Sequence, residues 1–271
     1  MPRIAASIVT YNTDSDELDR CLQSLSPDIF SEIFIIDNSR NHTTRSFCDG
    51  RKGIRYIASD NVGYGAAHNQ AIRLSLKRGY EYHLVLNSDV WFDRDSIEPL
   101  LRYMESHPDT AALQPRIVDS DGRLQYTARM LPTPADLILR RFLPSSVMRG
   151  RRMRYELRHI DHNKEFDAPY LQGSFMLMRS EALRNVGLFD ERFFMYPEDI
   201  DLTRRLHRHH RTMYVPLVTI VHAHRAESYK NFRMLCVHIV NMIRYFNKWG
   251  WIFDTERRRV NRTLHPHRRL T

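Results

Sequence analysis

Val85-Leu86-Asn87-Ser88-Asp89 decides how this chain is read, because an apolar strand runs directly into a cluster of polar side chains. The strand begins near Tyr82, and three earlier segments repeat the pattern. Ile4-Ala5-Ala6-Ser7-Ile8-Val9 breaks at Thr10-Tyr11-Asn12, Ile33-Phe34-Ile35-Ile36 stops at Asp37-Asn38-Ser39, and Ile54 to Ala58 precedes Asp60-Asn61. Short apolar runs bounded by turn formers predict buried strands. Helical spacings lie between them. Asp16 to Leu25 carries Leu18, Cys21, Leu22 and Leu25 with Asp14 or Ser15 as N-cap, Gly63 to Leu76 is closed by Gly79, and Ile97 to Met104 follows. Ala111-Ala112-Leu113 opens a fifth strand. Strand and helix alternating through the first 115 residues predict an α/β fold, a mostly parallel sheet flanked by helices.

The polar groups fall just past the carboxyl ends of the strands, the edge at which open α/β sheets bind ligands. Asn, Asp and Ser also end strands because they favour turns. Four such ends in one sheet point to a site rather than to four separate turns. Asp89 would sit at the mouth of the sheet, where a carboxylate suits a hard cation such as Mg²⁺ or Mn²⁺ whose shell is completed by phosphate oxygens and water. Asn87, two residues earlier, projects to the same side.

Composition narrows the classes. The 271 residues fit one large domain or one domain with an appendage, and 42% hydrophobic content supplies a sizeable core. No run approaches the roughly 18 apolar residues of a membrane span, and Met1-Pro2-Arg3-Ile4 enters a strand without a signal-peptide pattern. Cys21, Cys48 and Cys236 are odd in number and far apart, as free thiols in a reducing compartment would be, so the expected location is cytoplasmic. The net charge of +9 is concentrated. Arg140 to Arg158 holds seven arginines against one acid, and Arg257 to Arg269 holds six against none. Such clusters serve solvated faces, phosphorylated substrates or anionic membranes. Nucleic acid is not expected, since no binding motif or aromatic stacking platform accompanies the charge.

Residues 116 to 168, with Pro132, Pro134 and Pro144, many arginines and little periodicity, read as an insertion or loop-rich flap. Order returns from Ala168 to Met178, in a short helix from Ser180 to Val186, a helix from about Glu198 to His209, and a strand near Met213-Tyr214-Val215. From Tyr229 to Phe253, the residues Phe232, Leu235, Cys236, Ile239, Met242, Ile243 and Phe246 form a helical stripe ending near Trp249-Gly250-Trp251. It fits either packing on the domain or, with the neighbouring arginines, resting on a membrane leaflet.

The ordered set of Val9-Thr10-Tyr11-Asn12, Asp37-Asn38-Ser39, Asn61-Val62-Gly63-Tyr64-Gly65, Leu86-Asn87-Ser88-Asp89, Gly173-Ser174-Phe175-Met176, the run Gly187 to Leu202 containing Tyr196-Pro197-Glu198-Asp199-Ile200-Asp201-Leu202, and His222 resembles glycosyltransferase family 2. It is most similar to rhamnosyltransferase-type members of bacterial surface-polysaccharide assembly. The resemblance runs from residue 4 to about residue 230. It implies a GT-A fold over residues 1–228, Rossmann-like, with a nucleotide-binding half (1–115), the flap (116–168) and an acceptor-binding catalytic half (169–228). Residues 229–271 would form a C-terminal helical and basic tail.

The same resemblance implies an inverting transfer from a nucleotide-diphospho-sugar to a glycan or lipid-linked acceptor, with Mn²⁺ or Mg²⁺ as cofactor and peripheral contact with the inner membrane face. Thr10, Tyr11, Asn12, Asp37, Asn61, Gly63, Asn87, Ser88, Asp89 and Gly173 would bind the donor. Asp89 and His222 would hold the metal, with His224 as rival ligand, since Asn87 stands where the family's Asp-x-Asp motif has its first acid. Asp199, paired with Glu198, would be the general base. Two other readings stand beside this one. A sugar nucleotidyltransferase needs a glycine-rich basic loop that residues 10–16 lack, and a non-catalytic nucleotide-sugar-binding or scaffold member of the same fold would fit the Asn87 substitution.

Overall fold

The computed structural model describes residues 2–42, 44–139, 145–223 and 232–264. Strand β1 (Ile4–Thr10) leads through α1 (Ser15–Gln23) to β2 (Phe30–Asp37), and a short α2 (Arg45–Cys48) precedes β3 (Ile54–Ala58). Helix α3 (Tyr64–Lys77) returns the chain to β4 (Tyr82–Asn87) and a two-residue β5 (Val90–Trp91). Then come α4 (Ile97–Ser106), β6 (Thr110–Val118), β7 (Ala128–Arg129), a π-helical turn at Ala135–Leu139 and α5 (Ser145–Tyr155). Next are β8 (Phe166–Asp167), β9 (Tyr170–Leu171), β10 (Phe175–Arg179), α6 (Ser180–Val186), α7 (Glu198–His207) and β11 (Arg211–His222). Helices α8 (Phe232–Trp249) and α9 (Thr255–Thr263) complete the described chain.

The main sheet has the order β3-β2-β1-β4-β10-β6-β11-β5, with β8 paired to β11, while β7 and β9 form a separate ribbon. Strands β1 to β4 run parallel, β10 is inserted antiparallel between β4 and β6, and β6 runs parallel to β11. Alternation along each strand sorts side chains to two faces. Ile4, Ala6 and Ile8 join Leu18 and Leu22 of α1 and Leu100 and Met104 of α4 on one face. Ala5, Phe34 and Ile36 meet Ala67 and Ala71 of α3 on the other. Of the two candidate caps for α1, Asp14 is the one that accepts the Asp16 and Glu17 amides.

Three elements depart from the sequence expectation. Strand β11 spans twelve residues rather than a short run near Met213, because β6, β8 and β5 all pair along it. The helix expected to reach His209 ends at His207. The stretch read as loop-rich contains the eleven-residue α5. Between residues 146 and 155 only Met148 and Tyr155 of that helix are buried, so no apolar stripe announces it.

The C-terminal helices pack on the domain. Met242, Tyr245 and Phe246 of α8, spaced for one helix face, are buried in the core around Leu183, Leu202 and Leu206. Arg204 of α7 reaches Asp254 through two hydrogen bonds of 2.8 and 2.7 Å, with both side chains buried, and its guanidinium stacks 4.1 Å from the Trp249 ring. Asp254 also caps α9 by accepting the Arg257 amide. No helix among the described residues is long and apolar enough to cross a membrane.

Under β1 lies a buried polar relay. The Ser7 hydroxyl lies 2.7 Å from His68 Nδ1 and 2.8 Å from His83 Nε2, and His83 Nδ1 lies 2.8 Å from the Ser75 hydroxyl. Burial pushes both imidazole pKa values down, His83 to about 3. Unfolded imidazoles titrate near about 6.5. Stability should therefore be fully present above about pH 6.5 and fall progressively as pH drops from there towards about 3, since only the unfolded chain takes up these protons. Urea unfolding midpoints across that range check this, with His83→Asn expected to flatten the slope. Arg204→Ala should lower stability by about 3 kcal/mol, because buried Asp254 loses both hydrogen bonds from that guanidinium and keeps only Arg257, at 3.6 Å, as a charged partner. The same urea titration at neutral pH reads that loss.

Candidate active site

The carboxyl ends of β1, β2 and β4 line up at one edge, where Thr10 is paired with Asp37 and Val9 with Asn87. Asp37 is fully buried and accepts from the Ser39 amide (2.9 Å), the Thr44 hydroxyl (2.5 Å) and the Tyr56 hydroxyl (2.9 Å). Burial alone would raise its pKa, but these three donors outweigh it and hold the carboxyl below the usual range. Asp37 thus braces the pocket as a fixed anion. Ser39 in turn accepts the Asn12 amide, Asn38 donates to Asn61 at 3.5 Å, and Tyr11 lies exposed beside them.

Past β4, Ser88 donates to Glu17 of α1 at 2.8 Å, and the Asp89 carbonyl accepts the Ala223 amide. Strand β11 ends at His222, whose Nε2 lies 3.3 Å from Asp89 Oδ1 and 3.5 Å from Asn87 Nδ2. Gln125 clamps this histidine, donating to its carbonyl (2.7 Å) and lying 2.9 Å from its Nδ1 through Oε1. An acceptor at Nδ1 selects the tautomer with the proton there, which turns the Nε2 lone pair towards Asp89 and Asn87. One carboxylate and one imidazole suit a divalent cation whose remaining positions go to phosphate oxygens and water. No cluster of three or more such ligands occurs among the described residues. His224 lies outside them.

Asp199, in the first turn of α7, is brought to the same edge by the β9–β10 connection. Its Oδ2 accepts the Gly173 amide (3.0 Å) and the Tyr170 hydroxyl (3.2 Å), and Oδ1 accepts the Ile200 amide. The Tyr64 hydroxyl lies 2.7 Å from the Gly173 carbonyl and 2.8 Å from Asn87 Oδ1, sharing its proton between them. Two glycines make room for this arrangement. Gly63 has φ +96°, and a Cβ there would lie 2.2 Å from the Phe194 carbonyl oxygen; a Cβ on Gly65 would lie 2.8 Å from Phe189 and 3.1 Å from Glu198.

Electrostatics separate the acids. Burial lifts Asp199 above the usual carboxylate range, opposed by its hydrogen bonds and by Arg129. Glu198 is lifted well above its ordinary value by burial and then by the Asp199 charge. Its Oε2 is a buried oxygen without a hydrogen-bond partner. Both carboxyls are thus held above the ordinary range, Glu198 the further, and the two titrate as a pair.

The geometry gathers Asn87, Asp89, His222, Gly173 and Asp199 around one space, and sets Thr10, Asp37 and Asn61 along the neighbouring strand ends. Glu198 stands behind Asp199, against α3. Sequence reading assigned no role to Tyr64, Tyr170 or Gln125. Tyr64 sat inside the Asn61 to Gly65 motif and was within reach; Gln125 lies in the stretch without periodicity, where nothing signalled it.

Comparison with known proteins adds to this geometry. The model of glycosyl transferase family 2 matches residues 6–187. The N-acetylglucosaminyl-diphospho-decaprenol L-rhamnosyltransferase of Mycobacterium tuberculosis (strain ATCC 25618 / H37Rv) is 32% identical over 243 residues, covering 81% of this chain and 75% of that protein. The rhamnosyltransferase WbbL of Escherichia coli (strain K12) is 27% identical over 271 residues, covering 96% and 98%. Two solved structures share the fold. The mannosyltransferase of Pyrobaculum calidifontis in complex with GDP-Man and Mn²⁺ has a TM-score of 0.59 at 16% identity, covering 97% of this chain and 74% of that one. GalNAc-T7 with UDP, GalNAc and Mn²⁺ has a TM-score of 0.62 at 16% identity, covering 83% of this chain and 44% of that one. With its mostly parallel sheet, the fold is the GT-A type, and the chain belongs to glycosyl transferase family 2, a glycosyltransferase similar to rhamnosyltransferases.

Proposed function

We propose that this chain transfers a sugar, with inversion, from a nucleotide-diphospho-sugar to a hydroxyl of a glycan or lipid-linked acceptor in surface-polysaccharide assembly. The donor is dTDP-rhamnose or a UDP-sugar, and the work is done in the cytoplasm at the inner face of the membrane. The observation that carries this reading is the tie from Asp199 through Gly173 and Tyr64 to Asn87, which links a half-buried proton acceptor to the residue that faces the Asp89–His222 pair. The relatives' rhamnosyltransferase names support the choice of sugar, and the decaprenol-linked substrate in one of those names supports a lipid-borne acceptor.

In this reading Asn38 and Asn61 bind the nucleoside where Asp37 braces the strand end, and Asp89 and His222 would hold Mn²⁺ or Mg²⁺. When bound, that cation supplies positive charge to the leaving diphosphate. Asp199 takes the proton of the acceptor hydroxyl while that oxygen forms its bond to the anomeric carbon. The bond from the anomeric carbon to the phosphate oxygen breaks on the opposite face, and the nucleoside diphosphate departs with the electron pair. Tyr64 and Tyr170 keep their protons, since burial and the nearby carboxylates push both phenols well above their ordinary values, and they remain donors throughout.

The test is release of nucleoside diphosphate from a panel of UDP-, dTDP- and GDP-sugars with Mn²⁺ or Mg²⁺ and a polyprenyl-diphosphate-linked sugar acceptor. Turnover of one donor, abolished by chelation, is expected. Nucleotide binding without turnover across the panel would instead favour a non-catalytic role. Asp199→Asn should lower kcat by about 10²–10⁴-fold while donor affinity changes little. Because Asp199 is raised, the acid limb of the wild-type pH–rate profile should lie above the ordinary carboxylate pKa of about 3.9 and disappear in that variant. Asp89→Ala should shift the Mn²⁺ concentration needed for half-maximal rate upward by about 10–100-fold, read by metal titration at saturating donor.

A further inference from the structure

We propose that the face made by α5, α9 and the turn between α8 and α9 docks on an anionic lipid bilayer and seats a phosphate head group in an arginine-lined cavity. It assigns a second binding site to this chain, separate from the donor site, and does not rest on the transferase reading.

A cavity of about 500 Å³ lies between α5 and α9, and Arg151, Arg154, Arg257, Arg258 and Arg262 all line it. Asp136 is the single carboxylate in its wall, and it is engaged by Arg151 at 2.6 Å and by Thr133. Arg257 is committed to Asp254 and to backbone carbonyls. Arg154, Arg258 and Arg262 form no ion pair among the described residues. Five guanidinium groups facing one already paired carboxylate leave a surplus of positive charge that a phosphate matches in both charge and hydrogen-bond geometry.

The second half of the surface is apolar. A neighbouring cavity of about 540 Å³ shares Thr133, Arg151, Arg257 and Arg258 with the first and opens along Ile138, Trp251 and Ile252. Beside it Trp251, Ile252 and Phe253 are 38%, 66% and 84% exposed. This apolar tip is held outward rather than left to collapse. Arg257 donates to the carbonyls of Gly250 and Trp251, and Arg258 donates to that of Ile252. Val147 and Met153 add exposed apolar side chains on α5. An aromatic and aliphatic tip next to a ring of arginines matches the layering of a membrane interface, with head-group phosphates above and acyl chains below. A protein partner would need its own acidic pocket and apolar groove in the same order; an anionic bilayer presents both by construction.

The surface also adjoins the reaction edge. Tyr155 lines the arginine cavity, the Arg129 guanidinium lies 5.8 Å from the rings of both Tyr155 and Tyr170, and the Tyr170 hydroxyl donates to Asp199. Three side chains, Tyr155, Arg129 and Tyr170, link the head-group seat to Asp199.

Flotation of the full chain with phosphatidylcholine vesicles containing roughly 30 mol % phosphatidylglycerol, compared with phosphatidylcholine alone, tests the proposal without donor or acceptor present. Wild type should float with the anionic vesicles and stay behind with the neutral ones. The double variants Arg154→Glu/Arg262→Glu and Ile252→Ser/Phe253→Ser should each bind at least about ten-fold more weakly. Lys52→Glu, an exposed cation in the turn before β3 at the far edge of the sheet, should bind as wild type, and thermal melts should match for all. Absence of flotation, equal binding to neutral vesicles, wild-type binding by either double variant, or an equal loss in Lys52→Glu would each overturn it. Since no turnover is read, such a failure bears on the membrane location in the proposed function and leaves its transfer chemistry untouched, and a failed donor panel leaves this proposal untouched.

Discussion

The hydrogen bond from the Asn87 amide to the Ser174 carbonyl joins the two halves of the chemistry. It exists because β10 enters the sheet antiparallel beside β4, so that the start of one strand lies against the end of the other. Had β10 run parallel, its first residues would sit at the opposite edge, and Gly173 could not present its amide to Asp199. The position of Asp199, the Asn87–Asp89 loop and the Tyr64 bridge all follow from that single reversal of direction. Burial then fixes it, since Phe175, Met176, Leu177 and Met178 are all inaccessible to solvent, and a shift of one residue would exchange the two faces of the strand.

Two carboxylates at this edge, Asp37 fully buried and Asp199 half-buried, are pushed in opposite directions by the same physics. Asp37 accepts from two hydroxyls and an amide, and those donors overcome desolvation, so it stays ionised and acts as an acceptor. Asp199 also has donors, but burial wins and Glu198 adjoins it in the chain. A carboxylate with a raised pKa is a better proton acceptor, and one with a lowered pKa is a better anchor. Environment alone therefore gives two identical side chains two different uses.

Much of this was legible before any coordinates. Strand ends at Thr10, Asp37 and Asn87 could be placed because buried parallel strands read as continuous apolar runs with abrupt polar stops. Helix α6 matched its expected bounds of Ser180 to Val186 because a strand–helix junction marks one end and Gly187 the other. The direction of β10 was not legible, since a run buried on both faces carries no mark of which way its strand runs. Helix α5 was hidden because its exposed face is nearly the whole helix. Gln125 and Tyr170 could not be assigned, as each acts through a partner about thirty or more residues away: Asp199 for Tyr170, His222 for Gln125.

Asn87 is the position where the sequence departs most visibly from the family motif, and its contacts explain what an amide does there. Its Oδ1 accepts from Tyr64, as a carboxylate oxygen would. Its Nδ2 faces His222 Nε2, the nitrogen whose lone pair the Gln125 clamp exposes. An aspartate would add a second negative charge beside Asp89, close to Glu198 and Asp199. Tyr64 already feels the charges of Glu198, Asp199 and Asp89. Replacing one acid with an amide keeps the hydrogen-bond geometry of the edge while relieving its crowding of negative charge.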